Sequence, residues 1–276
     1  MKKKIAIHGI KGSFHHQVAL EYFQENVQVN ECLSFETLVA SLINNHSQLA
    51  VMAIENSIAG AFIPNYALID KHDLHIIGEY YLDSIQNLMV LNGQQLNEIQ
   101  EVHSHPMALL QCMDFLKKHP LIKLVEDKDT AETARRIHQN KLKGIAAIAS
   151  KTAAQLYDLT IVAPEIQTIN NNMTRFFILS TKSNSKAKET INKTSLKFEL
   201  DDTSGSLATV LNVMTNCKLN FTKIQLMPII IKPFWYSFFV DVVFKKYKHY
   251  EKATQILQIM TNHFKVLGEY ENKLIR

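Results

Sequence analysis

Three short stretches of the chain gather residue types that can do chemistry. Asn170-Asn171-Asn172-Met173-Thr174-Arg175-Phe176 sets amides, a hydroxyl and a guanidinium just ahead of an apolar run ending at Leu179. Ile54-Glu55-Asn56-Ser57-Ile58-Ala59-Gly60 sets a carboxylate, an amide and a hydroxyl at the end of another. Open α/β sheets bind ligands at such carboxyl ends of strands, and the pattern here reads as a strand feeding a helix. Gly9-Ile10-Lys11-Gly12-Ser13-Phe14 lies between a predicted strand and helix, where free backbone N–H groups favour an anion. It lacks the third glycine of a dinucleotide fingerprint and the GK[ST] of a P-loop. Each stretch also has a plain structural reading: an asparagine turn, an N-cap with one exposed glutamate, and a tight turn. His103-Ser104-His105 and His15-His16 have no partners at zinc-binding spacing, and His105 reads as the N-cap before Pro106. Neither a G-x-S-x-G elbow nor a CxxC pair is present.

The elements that must position these residues follow from hydrophobic periodicity. Strands are predicted at Lys4–His8, Ala50–Ile54, His75–Tyr81, Leu88–Leu91, Glu101–Ser104, Gly144–Ala149 and Arg175–Leu179. Helices are predicted at Phe14–Gln24, Pro106–Lys117, Thr130–Gln139 after the N-cap Asp129, and Lys151–Tyr157 after the N-cap Ser150. This alternation indicates α/β layers with a mainly parallel sheet. Val51–Ser57 and Ile145–Lys151 echo each other, as two similar lobes facing one cleft would. In a regular strand Thr174, Phe176 and Ile178 share one face and Arg175, Phe177 and Leu179 the other. Thr174 and Arg175 therefore share a pocket only if the strand bends; otherwise Arg175 pairs with a carboxylate behind it. Thr181–Lys193 is polar and reads as a linker. Beyond it, a strand at Thr194–Leu200, a helix at Gly205–Asn216, strands at Leu219–Ile231 and Phe234–Phe244 joined across Lys232-Pro233, a helix around Tyr250–Phe264 and a strand near Val266–Tyr270 give a ferredoxin-like βαββαβ order.

A length of 276 residues fits about two folding units. Only four of the 30 basic residues are arginine (Arg135, Arg136, Arg175 and Arg276), and no dense basic stretch occurs, which argues against nucleic-acid binding. A small anionic ligand remains compatible with this balance. No apolar run approaches the ~20 residues of a membrane helix. The basic start Met1-Lys2-Lys3-Lys4 precedes an apolar run that stops at His8-Gly9, too short for a signal peptide. Cys32, Cys112 and Cys217 are sparse and odd in number, which fits a reducing cytosol.

Taken in order, the motifs resemble those of the prephenate dehydratases. Gly9 to Phe14 is similar to the family's G-x-x-G-[ST]-[FY], and Glu55-Asn56-Ser57 with Gly60 to its E-N-S-x-x-G. His103-Ser104-His105-Pro106 with Ala108-Leu109 and Gln111-Cys112 follows, then Asp129-Thr130-Ala131. Ala146-Ala147-Ile148-Ala149-Ser150 with Ala153-Ala154 and Tyr157, and Asn171-Asn172-x-Thr174-Arg175-Phe176, complete six motifs over residues 5–180. Beyond them Gly205-Ser206-Leu207 and Trp235–Asp241 resemble a regulatory ACT domain. The departures are His15 for Ser or Thr, Ala53 for Pro, Met107 for Gln, and Gln225-Leu226-Met227-Pro228 for the E-S-R-P of feedback-inhibited members.

The resemblance implies a cytosolic lyase of phenylalanine biosynthesis, a homodimer or homotetramer, that converts prephenate to phenylpyruvate, water and carbon dioxide without metal or cofactor. It implies a two-lobed, periplasmic-binding-protein-like catalytic domain over residues 1–182, with lobes at 1–78 plus 160–182 and at 79–159. A linker at 183–193 and an ACT domain at 194–276 follow. Thr174 takes the role of hydrogen-bond donor to the departing hydroxyl. Because the ring carboxylate loses its charge in the reaction, a cation holding it would favour the ground state. The expectation is that it meets an apolar wall including Phe176. The side-chain carboxylate is gripped by helix starts at Gly12-Ser13 and Asn56-Ser57, with Ser104, Thr130 and Asn172 as further candidates. Glu55 orients neighbours or accepts from the substrate hydroxyl, and the orientation of Arg175 is open. L-Phenylalanine is the implied effector, at Gly205, Ser206 and Leu207, but with Gln225 and Met227 in place of Glu and Arg little inhibition is expected. Arogenate dehydration and a non-catalytic amino-acid sensor are the alternatives. A chorismate mutase segment is not expected, since the chain opens at the first dehydratase motif.

Overall fold

The computed structural model describes residues 3–24, 27–183, 187–229, 232 and 235–274. In chain order the first elements are β1 (Lys4–His8), α1 (Phe14–Phe23), β2 (Gln28–Cys32), α2 (Phe35–Ile43), β3 (Leu49–Asn56), β4 (Gly60–Ala61), α3 (Ile63–Lys71) and β5 (His75–Asp83). Then come β6 (Asn87–Leu91), β7 (Glu101–Ser104), α4 (Pro106–Gln111), α5 (Met113–Leu116), β8 (Lys123–Glu126), α6 (Thr130–Asn140), β9 (Ile145–Ala149), α7 (Lys151–Leu156), β10 (Leu159–Ala163) and β11 (Met173–Ser180). The last are β12 (Lys193–Glu199), α8 (Ser206–Asn216), β13 (Asn220–Pro228), β14 (Tyr236–Val243), α9 (Tyr247–Met260) and β15 (Asn262–Tyr270). They fall into two compact units, Met1–Phe62 with Tyr81–Phe176, and Ile63–Tyr80 with Phe177–Arg276. The division thus runs inside β5 and β11.

The first unit contains two sheets. One has the order β11-β3-β1-β2, in which β1 pairs in parallel with both β2 and β3. The other has the order β10-β6-β9-β7-β8. It is mixed rather than mainly parallel: β7 pairs in parallel with β8 and β9, whereas β6 runs antiparallel to both β9 and β10. Since β10 belongs to this sheet, the lobe boundary predicted at residue 160 lies too early, within a strand. The central strands β3, β6 and β9 are almost wholly buried, which accounts for their unbroken apolar runs. Ser13, Ser34, Asp129 and Ser150 cap the helices that follow them. The helix predicted over Pro106–Lys117 breaks into α4 and α5 at Cys112. No helix follows Asn56-Ser57 directly; a turn leads into β4, which folds back antiparallel on β3.

The second unit carries β12, α8, β13, β14, α9 and β15 in the predicted βαββαβ order, with strand order β13-β14-β12-β15-β5. Its core gathers Leu196, Phe198, Val210, Met214, Val240, Val242, Tyr250 and Leu257. The segment Ile63–Tyr80, assigned from sequence to the catalytic lobes (up to residue 78 to the first, the last two residues to the second), packs here. Its anchor is an ion pair between Lys193 Nζ and Glu79 Oε2 at 2.9 Å, with both side chains at most 1% exposed. Lys193 is therefore the first residue of a buried strand and not the end of a linker. Gly268 in β15 bridges to Ile76, where a Cβ would sit 2.1 Å from the Ile76 carbonyl oxygen. Only glycine permits that approach. Ile230, Ile231, Pro233 and Phe234, predicted at the β13–β14 junction, lie outside the described residues, as do Asn184–Lys186 of the linker and Arg276. Among the described residues no helix is long and apolar enough to cross a membrane.

Candidate functional site

In the first unit a cavity of about 240 Å³ is lined by Thr174, Asn56, Ser84, Gln86, Gln111 and Thr130, with Phe14, Phe62 and Met107 among its apolar walls. Thr174 opens β11, next to the turn that closes β3. That turn is made by Asn56, 6% exposed, whose Oδ1 accepts from Ile58 N at 3.0 Å and Ala59 N at 2.9 Å. With its oxygen held, the amide nitrogen is aimed across to β11. It donates to Asn172 Oδ1 at 2.7 Å and to Thr174 Oγ1 at 2.9 Å. Ser57 ties down the same strand end, its Oγ accepting from Met173 N at 2.9 Å and donating to the Asn171 carbonyl at 3.3 Å.

The third partner comes from the segment after β5. Ser84 Oγ lies 2.9 Å from Thr174 Oγ1, and its own N–H is fixed on the Asn172 carbonyl at 2.7 Å. A threonine hydroxyl has one hydrogen and two acceptor directions. Asn56 occupies one. When Ser84 donates, it fills the other, and the Thr174 hydrogen is left for a guest in the cavity. Two donors on one oxygen also polarise it, which strengthens the bond it gives. Two polar atoms of nearby residues are unsatisfied. Gln86 Oε1 and Asn172 Nδ2 are buried and lack hydrogen-bond partners among the described residues. Asn172 lines an adjoining cavity of about 410 Å³ that shares Ala59, Met107 and Gln111 with the first.

The remaining predicted residues have other places. Glu55 and Arg175 pair with each other, Nη1 to Oε2 at 3.8 Å, and Arg175 also lies 5.8 Å from the Tyr81 ring centre. Arg175, 4% exposed, is absent from the cavity lining that includes Thr174, as alternation along β11 requires. Phe176 is 1% exposed and packs on the His15 ring instead of walling the cavity, because it is buried behind α1. Gly12 and Ser13 do not form an open anion cradle. Gly12 N bonds to His16 Nδ1, Ser13 N to the Ile10 carbonyl, and the Gly12 carbonyl accepts from Ser150 Oγ. A Cβ at Gly12 would meet the Tyr157 ring at 3.1 Å and Ala153 Cα at 3.2 Å. The glycine is needed for close packing of this loop against α7. Ser104 is fully buried and donates to the Ile148 carbonyl within the second sheet. The helix-start grip predicted at Asn56-Ser57 fails for lack of a helix there. His105 caps α4, accepting from Met107 N at 3.2 Å, and His103 lies beside Glu101 and Arg136.

Sequence reasoning missed Ser84, Phe62, Gln86 and Gln111 as cavity residues. Gln111 stood within a quoted motif, but nothing local marked Ser84. The lining carries one carboxylate, Asp129, and neither lysine nor arginine.

The fold and this geometry agree with what the chain is similar to. The family model of prephenate dehydratase matches residues 5–184. The chain belongs to the prephenate dehydratase family. It is 32% identical over 271 residues to a bifunctional chorismate mutase/prephenate dehydratase of Buchnera aphidicola subsp. Acyrthosiphon pisum, covering 97% of this chain and 70% of that one. It is also 32% identical over 277 residues to the chloroplastic arogenate dehydratase/prephenate dehydratase 2 of Arabidopsis thaliana, covering 97% and 72%. The crystal structure of a prephenate dehydratase from Arthrobacter aurescens in complex with L-Phe superposes with a TM-score of 0.85 at 21% identity, covering 98% of this chain and 90% of that one. This last match speaks for the fold.

His15, where the family motif has Ser or Thr, sits in a ring cluster with His8, Phe35 and Phe176, and its Nε2 accepts from Ala53 N at 3.3 Å. Burial, followed by the charge of His8, holds its pKa well below the usual 6.5, and burial lowers those of His8 and His16. Below pH 6.5 the unfolded chain therefore binds protons that the folded chain refuses, and stability falls as pH drops from that value. Thermal midpoints measured from pH 7.5 to pH 5 are expected to decline on the acid side, and less steeply in His15→Gln. A midpoint level or rising toward pH 5 would contradict the neutral cluster.

Removing one donor from Thr174 is the direct test of the hydroxyl geometry. Ser84→Ala is expected to lower kcat on prephenate about tenfold, with KM within about twofold and the melting point nearly unchanged. An unaltered kcat would show that Thr174 needs no second donor.

Proposed function

We propose that this chain is a prephenate dehydratase, a carbon–oxygen lyase that turns prephenate into phenylpyruvate, carbon dioxide and water. The bond from the ring to the carboxylate breaks, its electron pair moves through the cyclohexadiene, and the bond to the ring hydroxyl breaks as one proton is taken up. Aromaticity drives the reaction, and the obstacle is that hydroxide leaves badly. The observation that carries the proposal is the Thr174 hydroxyl, held by Asn56 and by Ser84 at 2.9 Å each. Its hydrogen is the donor to the departing oxygen. Positioned proton donors contribute about 10²–10⁴ in rate. A threonine is a feeble acid, so its part is a strong hydrogen bond that meets charge as it develops.

A lining free of lysine and arginine suits the other end of the reaction. Ring carboxylate becomes neutral carbon dioxide, and a cation on it would hold back the ground state more than the transition state. Phe14, Phe62 and Met107 supply the apolar surroundings assigned earlier to Phe176. Thr130, Asn172 and the Gln86–Gln111 pair are the neutral groups left to bind the substrate's polar parts.

Residues 194–276 are proposed to form a regulatory ACT domain with the Gly205-Ser206-Leu207 segment as its effector contact, and residues 1–182 the catalytic part of a homodimer or homotetramer. The three cysteines are free, buried thiols, which supports a reducing, cytoplasmic setting. Arogenate is the second reading for substrate, since the Arabidopsis relative is named for both activities.

Purified chain supplied with prephenate should yield phenylpyruvate, and arogenate serves as the comparison. Thr174→Val is expected to leave KM nearly intact and to cut kcat at least about a hundredfold, while Thr174→Ser retains measurable turnover. A near-normal rate in the valine variant would end the donor role.

The Arthrobacter structure contains L-Phe. Here Gln225 turns its amide to the Leu226 carbonyl and Met227 is 7% exposed, so the equivalent stretch of β13 offers no charge. L-Phenylalanine added to the assay should leave the rate within about twofold, since a lost charge-assisted bond removes most of a small ligand's anchorage. Strong inhibition at low phenylalanine would show that the glutamate and arginine are dispensable.

A further inference from the structure

The second unit holds a cavity of about 460 Å³ at the end of its sheet remote from Gly205–Leu207. Five separate segments reach it. Asn192 lies just before β12, Lys218 and Asn220 at the start of β13, Lys245 after β14, His249 in the first turn of α9, and Asn272 after β15. Phe244 lies beneath them. The lining thus offers two ammonium groups, three amides and an imidazole, and contains no carboxylate.

Independent details indicate that the cavity lacks negative charge it could accommodate. The N-terminus of α9 has Lys246 at its cap with no side-chain hydrogen bond, and no acidic residue in its first turn. By contrast α2 and α6 each carry a side-chain cap and a first-turn glutamate, Glu36 and Glu132. The positive end of the 14-residue α9 is left uncompensated. The His249 ring, half-buried, lines the cavity, although its Nδ1 is closed off from solvent and does not face a guest. The acidic residues of neighbouring segments are engaged elsewhere: Glu251 with Lys188, Glu269 with Tyr247 and Glu271 with Lys273. The frame itself is set by backbone bonds. Phe244 N donates to the Asn192 carbonyl at 2.9 Å, and Asn272 N to Asn192 Oδ1 at 2.6 Å.

We propose that this cavity binds a small dianion carried on oxygens, either a phosphate group or a pair of carboxylates. Lys218 and Lys245 supply the charge, Asn220 and the start of α9 donate hydrogen bonds, and the His249 ring forms part of the wall. The seven residues of β12 separate this place from the Gly205 segment by roughly 20 Å at a rise of about 3.3 Å per residue. It is thus distinct from the proposed phenylalanine contact. A bound dianion would join the starts of β12 and β13 to the segment after β15, and so raise the stability of the folded chain.

Titration calorimetry on the full chain, with inorganic phosphate and with malonate at constant ionic strength, tests this. Saturable one-site binding of at least one of them is expected, with a rise in melting point that matched potassium chloride does not produce. The double variant Lys218→Gln/Lys245→Gln should bind about tenfold more weakly and lose the rise in melting point. Its rate on prephenate without added anion should be unchanged, since neither lysine belongs to the Thr174 site. Phosphate binding alone would assign the site to phosphate groups, and malonate alone to paired carboxylates. Unsaturable heats, equal affinity in the variant, or the same response to potassium chloride would overturn the proposal.

Discussion

A hydroxyl accepts twice and donates once, and Thr174 has two partners at its oxygen: the Asn56 amide, which donates to it, and the Ser84 hydroxyl, which fills the second acceptor direction when Ser84 is the donor of their bond. These partners come from segments far apart in sequence, Asn56 at the end of β3 and Ser84 after β5, and a third segment supplies the threonine. No part of this arrangement is local. Asn56 can aim its amide only because Ile58 and Ala59 hold its oxygen, and Ser84 stays in reach only because its N–H is bound to Asn172. The small turn between β3 and β4 and the loop after β5 therefore have a common purpose. Both hold a hydrogen-bond partner within 3 Å of one oxygen. An unpaired buried polar group costs about 1–3 kcal/mol, so each of these bonds also resists local rearrangement.

The second unit rests on a different kind of polar contact. Lys193 and Glu79 are an ion pair with almost no solvent access, and Ser195 joins Asp241 at 2.5 Å and Tyr270 at 2.6 Å nearby in sequence on β12. Desolvating such charges is expensive, and an apolar replacement of the same volume is often no less stable. What the pair provides is register. Glu79 meets Lys193 at the start of β12, and Gly268 must lie against Ile76 because any side chain there would collide with the backbone.

How legible this was in the sequence depended on whether the signal was local. The buried strands β3, β6 and β9 announced themselves as apolar runs, and the caps Asp129, Ser150 and His105 stood where their helices begin. Strands β2 and β8 were overlooked because Gln28–Cys32 and Lys123–Glu126 are edge strands, mostly facing solvent, with no apolar pattern to read. Thr174 and Asn56 were found through their motifs, and Ser84 was not, since a serine after a strand looks like any loop residue. Gly12-Ser13 misled for the opposite reason. A glycine before a helix suggests a ligand, but here it admits the Tyr157 ring and Ala153 of another helix, a contact that no local pattern reveals. The place of Ile63–Tyr80 in the second unit was equally hidden, because the partner of Glu79 lies 114 residues away.

Alternation along β3 and β11 settles a further matter. Asn56 meets Thr174 on one face while Glu55 meets Arg175 on the other. A motif that reads Glu-Asn in one strand and Thr-Arg in the next is thus two pairs, one chemical and one electrostatic, divided by the sheet. The division has a chemical consequence. Arg175 is the residue beside the proposed donor, and a guanidinium on the cavity side would clamp the ring carboxylate in the state it must leave. Turned to the far face and paired with Glu55, it anchors the strand without adding positive charge to the cavity. In the proposed mechanism the hydroxyl acts where charge appears, at the departing oxygen, and the apolar wall lies where charge is lost. One strand pair with period-two alternation is enough to keep those requirements apart.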